Sequence, residues 1–373
     1  MIGRFHAFDL AYQLQKKNFL QKIVTTYPKY YVKKWGICSA NIASSPLLEL
    51  ANRVKSKIPF ASNQILSLII KRIHSVKVSK NIKGADILVA WSGSSLEAIV
   101  KAKKMGTKVV LERGSTHHSY QMKILQEESL KYDFDFTPDY YIWERDLLEY
   151  ELADYISIPT NFVKKTFIEY GIPEEKLIVN PYGVNLSSFR NTGKKDDVFR
   201  VIFCGQISYQ KGVQYLLQAF YELNLEGMEL WLVGSVNESF KPILEKFQSR
   251  NILLKGVYPQ SELYEVYSCG SVFVMPSIQE GLAMVQIQAM ACELPLICTT
   301  NTGGSDIITE GVEGFVVPIR EVEALKSKML YLFNNQDLAK SMGKAARNRV
   351  LKGLTWDDYG CRTIEFYNDI LNG

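Results

Sequence analysis

Ten short apolar runs, each closed by a turn and most followed by a helical pattern, constrain this chain more than any other feature. The runs are Ile87–Trp91, Lys108–Leu111, Tyr155–Ile158, Leu177–Asn180, Arg200–Cys204, Glu229–Val233, Ile252–Leu254, Ser271–Met275, Pro295–Cys298 and Gly314–Val317. Helical periodicity falls at 95–105, 211–223, 261–269, 283–292, 321–334, 336–351 and 357–371. Strands alternating with helices build parallel sheets covered on both faces. The polar stretch Arg190–Asp197 divides the series in two. The expected class is α/β, with two Rossmann-like domains facing across a cleft: residues 1–189 and residues 190–354. Ligands in open α/β sheets bind at the carboxyl ends of strands, so functional residues should follow strands directly. Residues 3–14 read as a post-strand loop entering a helix, and no strand precedes them. The first strand of the sheet is therefore expected to be missing from this chain.

A length of 373 residues allows two separate cores. Apolar residues at 47% and charged residues at 22% exclude wholesale disorder. Six cysteines form no C-x-x-C pair and no zinc spacing, so no metal site is expected, and the thiols read as buried and reduced. No signal peptide opens the chain, and the apolar stretch at Leu66–Ile70 is too short to span a bilayer. The expected location is the cytoplasm, or the periphery of the inner membrane face. Charge is unevenly spread: residues 1–80 carry 14 Lys and Arg against Asp9 and Glu49, while the remainder is net acidic. So basic an end attracts anions, namely a membrane surface, a phosphorylated acceptor or nucleic acid. No RNA or DNA motif accompanies it, so nucleic acid is not an expected partner. Residues 50–80 mix basic and apolar side chains. They fit either a membrane-surface segment or a core-facing helix with a wet basic face.

Three segments of the second half carry chemistry. In F-C-G-Q-I-S-Y-Q-K-G, residues 203–212, a strand ends at Cys204, Gly205 permits a tight turn, and Lys211 stands at a helix start. Helix amides and dipole favour an anion there, and a lysine adds a mobile charge suited to phosphate. In residues 275–292, Glu280 and Gly281 precede a helix and Gln288 lies two turns along it. Eight residues at helical rise separate Glu280 from Gln288 by roughly 12 Å, the scale of a sugar–diphosphate–ribose ligand. Glu280 can accept from sugar hydroxyls, amides after Gly281 can meet a diphosphate, and Gln288 can bond a ribose. In residues 299–318, Gly303 and Gly304 allow close backbone approach, and Asp306 reads as a helix cap.

Taken together, residues 203–318 resemble family four of the retaining glycosyltransferases, which have the two-domain GT-B architecture. The landmarks occur in order: G-x-x-x-x-x-K-G at 205–212, V-G at 233–234, G-V at 256–257, E-G-L at 280–282, A-M-A at 289–291 and G-G-S-D-I-I at 303–308. Residues 151–160 and 179–189 resemble the approach to the second domain. The final helix, from T-W-D-D-Y at 355–359, resembles the one that crosses back to the first domain. The resemblance implies a donor that is a UDP- or GDP-sugar, no cofactor and no metal. The acceptor is expected to be a glycan or a lipid-linked glycan in surface polysaccharide synthesis. It gives Lys211 the diphosphate, Glu280 the donor sugar, Gln288 the ribose and the backbone around Val257 the base. Gly205, Gln206, Gly281, Leu282 and Ala283 complete the donor set.

Two positions depart from that pattern. Gln206 stands where the family usually has Arg, and Gln288 where it has a second Glu. The alternative reading is therefore a catalytically inactive sugar-nucleotide binder acting as a partner subunit. In the first domain, L-E-R-G-S-T-H-H-S-Y at 111–120 follows a strand. His117 is expected to be the cleft histidine, and with Lys211 and Glu280 it forms the expected catalytic set. Arg113, His118, Arg4 and His6 are expected on the acceptor side, with Arg113 also a candidate to replace the lost arginine on the diphosphate.

Overall fold

Short β-branched and apolar runs flanked by glycine turns give twelve strands in the computed structural model, which describes Ile2, residues 5–54 and residues 60–372. The strands are β1 (Ile23–Thr25), β2 (Ile42–Ser44), β3 (Ile87–Trp91), β4 (Lys108–Glu112), β5 (Tyr155–Ile158), β6 (Leu177–Val179), β7 (Phe199–Cys204), β8 (Met228–Val233), β9 (Ile252–Gly256), β10 (Val272–Met275), β11 (Leu296–Thr299) and β12 (Gly314–Val317). All ten expected strands are present. β1 and β2 were not expected, because three residues are too few to show a period.

Every strand pairing is parallel. β3 to β6 form one sheet in chain order, and β1–β2 form a separate ribbon. The second large sheet runs β12-β11-β10-β7-β8-β9. Its central strands are mainly apolar, as buried parallel strands are, and every residue of β7, β10 and β11 is buried. Connections leave β7 toward β8 on one side and β10 toward β11 on the other. The switch point therefore lies between β7 and β10, and a crevice opens outside their carboxyl ends. The loops in question are residues 205–212 and 276–283.

The final helix, Trp356–Asn372, packs on the helix Ala7–Lys16, with Asp357 accepting from Gln13 (2.9 Å) and Lys16 (2.8 Å). A bridge from Val184 to Thr355 sets the two domain crossings side by side. The expected leading strand has no counterpart among the described residues. Ile23 and Val24 of β1 and Ile87–Val89 of β3 line one apolar groove beside the helix Ala7–Lys16. The stretch 50–80 divides into the helices Pro46–Val54 and Phe60–Ser79. Of the thiols, Cys204, Cys292 and Cys298 are buried as expected, whereas Cys38 and Cys361 are exposed.

Candidate active site

The loop after β7 delivers Lys211, and the loop after β10 delivers Glu280. Their side chains form an ion pair, both half-buried, in the crevice at the switch point. Gly212 makes the approach possible. It has φ +65°, and a Cβ there would lie 1.9 Å from the carbonyl oxygen of Pro276 in the neighbouring loop. The two loops are stitched by Gln210, which donates to Gln279 (3.0 Å), and by the Ile278 amide on the Gln210 carbonyl (3.0 Å). The helix Met284–Ala291 then begins with Ala283 as N-cap and no side-chain cap, so its leading amides keep their anion-binding capacity. Glu280 thus lies in the loop ahead of the helix. The helical ruler from Glu280 to Gln288 holds only from Met284 onward.

The amino-terminal domain meets this junction directly. Gln279, wholly buried, donates through Nε2 to Ser115 Oγ and Thr116 Oγ1, both at 2.7 Å. Thr160 donates to the Gly281 carbonyl (3.1 Å), and Asn301 to the Tyr120 hydroxyl (3.1 Å). Gly281 lies against Gly114 with no room for a side chain. Asp306 caps no helix of its own domain. It accepts from the Asn161 amide (3.1 Å) at the start of the opposite helix Asn161–Glu169. Deeper in, Glu128 of the helix His118–Tyr132 is fully buried and bonded to Gln214 (2.8 Å), Tyr215 (2.7 Å) and Arg320 (2.8 Å) of the second domain. The two domains are therefore held closed around the Lys211–Glu280 pair.

A cavity of about 380 Å³ lies beside the same helix, lined by Met284, Gln288, Gln260 and Ser261 on one side and by Asp9 and Trp35 on the other. Gln288 lines this cavity and accepts from the Tyr267 hydroxyl at 3.5 Å. Val257 sits at the carboxyl end of β9, is highly exposed, and lies outside this cavity's lining. Gln206 is exposed beside Gly205, while Leu282 and Ala283 are buried in the loop that leads into the helix.

The acceptor-side residues fall differently from expectation. His117 is sealed inside the first domain as the N-cap of the helix His118–Tyr132, accepting from the Ser119 amide (3.3 Å). Its ring stacks on Tyr170 (4.7 Å, 8°) and is walled by Tyr150 and Phe167. Burial, helped by Arg113, lowers its pKa to about 4. The histidine that keeps an exposed edge is His118, whose Nδ1 is 2.6 Å from Asp146. Arg113 is turned into its own domain. Its five N–H groups are all engaged, by Thr116 O twice, Ser92, Asp146 and Gln121. Burial opposes charge on Asp146, but Arg113 and His118 hold its carboxyl below the ordinary value. Next to it Glu149 accepts from the Gly93 and Ser95 amides (2.5 and 2.7 Å), and burial plus the Asp146 charge push it up to about 8. His6 lies behind the cleft, with Nε2 3.1 Å from the buried Glu112 and its ring against Tyr182. Arg4 lies outside the described residues.

The sequence reading missed Gln279, Glu128, Asp146 and Glu149. Only Gln279 carried a signal, its place beside Glu280 after a strand. The three acids sit in the helices His118–Tyr132 and Tyr140–Leu152, which the sequence reading did not predict.

The depressed pKa of His117 has a measurable consequence. The unfolded chain protonates this ring near pH 6.5, and the folded chain only near 4. Stability is therefore fully present above 6.5 and lost as pH falls between those values. His117→Asn keeps a capping acceptor and removes the titration. Thermal melts from pH 7 to 4 should show a shallower acid limb for the variant than for the wild type.

Two facing Rossmann-like domains, with a cationic, uncapped helix start in the cleft, define a GT-B protein. Residues 185–349 match the family described as glycosyl transferases group 1. The capsular polysaccharide biosynthesis glycosyltransferase CapM of Staphylococcus aureus is 32% identical over 163 residues, 42% of each chain. The putative colanic acid biosynthesis glycosyltransferase WcaL of Salmonella typhimurium is 23% identical over 303 residues, 77% of this chain and 70% of its own. The chain spans about half the length of most curated relatives it matches. Among solved structures, HepE of Anabaena in complex with UDP-glucose superposes with a TM-score of 0.69 at 13% identity, over 99% of this chain and 98% of that one. At such identity the likeness establishes the fold.

Proposed function

We propose that the protein is a retaining, metal-independent glycosyltransferase. In this reading it moves a sugar from a UDP- or GDP-sugar to a glycan or lipid-linked acceptor in polysaccharide synthesis, at the inner face of the membrane. The observation that carries this reading is the Lys211–Glu280 pair at the open amino end of the helix Met284–Ala291, facing the other domain across the switch-point crevice. A diphosphate entering there would take Lys211 and the leading amides, and would free Glu280 for the hydroxyls of the donor sugar. Negative charge that grows on the departing phosphate is met by donors already in place. Polysaccharide relatives such as CapM and WcaL support the substrate class. The UDP-glucose complex of HepE supports the donor class. On the acceptor side, His118 replaces the enclosed His117 as the histidine able to touch a sugar hydroxyl.

The test is a transfer and donor-hydrolysis assay across UDP- and GDP-sugars, with EDTA present and the anomeric configuration of the product read by NMR. Turnover in EDTA with the donor's configuration kept is the expected result. Binding without turnover over all donors and acceptors would favour the second reading, an inactive sugar-nucleotide-binding partner subunit, which Gln206 and Gln288 motivate. Because Gln206 is exposed at the loop after β7, Gln206→Arg should tighten UDP or GDP binding about two- to tenfold by adding a charge-assisted bond. Isothermal titration of both proteins checks this.

A further inference from the structure

The helix Phe60–Ser79 is built inside out. Its inward side buries Ser67, His74 and Ser75 with Ile70, and Ser75 Oγ accepts from the Ala98 amide at 3.0 Å. Its outward side carries Ile65, Ile69, Ile73 and Val76, between 41% and 52% exposed, at spacings of four, four and three residues. That is one continuous stripe along a helix. The helix Pro46–Val54, packed beside it, repeats the inversion. Its Glu49 points inward to Thr26 (2.6 Å), while Leu47, Leu50 and Val54 face out, Leu47 at 82% exposure. A chain that simply needed a wet surface would place these groups the other way round.

The charge around the stripe says what covers it. Residues 1–80 hold 14 Lys and Arg and two acids, and one of those acids, Glu49, is turned inward. Arg72 is exposed on the longer helix, 3.5 Å from Glu97, and Lys80 is exposed in the turn that follows it. Tyr30, 70% exposed, lies near Arg53 on the adjacent helix Lys29–Lys33, which also presents Lys29 and Lys33 to solvent. Apolar residues in the middle, cations and a tyrosine at the rim, form the pattern that sinks into a headgroup layer of anionic lipid. A second copy would bring the same excess of cations and be repelled. No helix among the described residues is long and apolar enough to cross a membrane. We infer that the helices Pro46–Val54 and Phe60–Ser79 form a docking face for an anionic lipid surface. The inference extends the reading of a lipid-linked acceptor given above.

The experiment is flotation of the full chain with phosphatidylcholine vesicles, with and without phosphatidylglycerol, at low and high salt. The expected result is binding to the anionic vesicles that high salt weakens. Ile69→Ser with Ile73→Ser should weaken it about tenfold or more, as should Arg72→Glu with Lys80→Glu. Ile69 and Ile73 are half-exposed, so the serine variant should melt near the wild type, while Arg72→Glu gives up the Arg72–Glu97 ion pair (3.5 Å) and should melt lower. Absence of wild-type binding at low salt, or equal binding by both variants, would overturn the inference. So would a concentration-dependent dimer that the serine variant abolishes, which would assign the face to a second copy. Sugar transfer to a water-soluble acceptor should be unchanged in the serine variant. Vesicle binding without any donor turnover would sink the functional reading and leave the docking face standing.

Discussion

Lys211→Ala is expected to lower kcat/KM for sugar transfer about a hundredfold or more, the scale of removing one preorganised charge from a transition state. Lys211 is the side-chain cation the structure places in the switch-point crevice, paired with Glu280 and held there by the turn that Gly212 permits. Gln206 offers no charge to compensate, and Arg113, the other expected cation, has every N–H group occupied in its own domain. Donor affinity should fall along with turnover, because in the proposed reading the same group binds the diphosphate in the ground state. Lys211→Arg should recover part of the loss, since charge returns with altered geometry. Steady-state kinetics and donor titration on the three proteins provide the check. A Lys211→Ala variant with near wild-type transfer would remove the proposed diphosphate site.

Gly281→Ala should be nearly as damaging, for a steric reason. A Cβ at Gly281 would stand 2.2 Å from the carbonyl oxygen of Gly114 and 2.8 Å from its carbonyl carbon. Both obstacles are backbone of the opposite domain, so no side chain can swing aside. The methyl group fits only if the domains part, and parting breaks the Thr160–Gly281 and Gln279–Ser115 bonds. The expected cost is about 1–3 kcal/mol of stability, the ordinary scale of overpacking. Activity should fall about a hundredfold, because a misplacement of about 1 Å at a reacting centre costs that much. Small-angle scattering should report a larger radius for the variant, and thermal melts a lower midpoint. An unchanged radius with unchanged activity would show that the closed contact is not the working state.

The second sheet was legible in the sequence because its central strands β7, β10 and β11 are buried throughout and read as mainly apolar runs. The same regularity put Lys211, Glu280 and Gln288 after strands or on the helix that follows, where the structure has them. The first domain was harder to read. β1 and β2 are three residues each and carry no period. His117 and His118 are neighbours in sequence, and only packing decides which ring turns inward, here the one that caps a helix and stacks on Tyr170. Arg113 looked available because its partner Asp146 lies 33 positions later on another helix. The inward-facing Glu128 and Glu49 lie outside the helices expected from sequence, and their partners belong to other elements. The exposed isoleucines of the helix Phe60–Ser79 could not be told from core residues until the helix was oriented.

The most direct measurement is a crystal structure of the protein with a bound UDP- or GDP-sugar. The diphosphate should contact Lys211 Nζ and the first amides of the helix Met284–Ala291, with the sugar at Glu280 and the ribose at Gln288. A donor bound elsewhere, with Lys211 and Glu280 still paired to each other, would contradict the account.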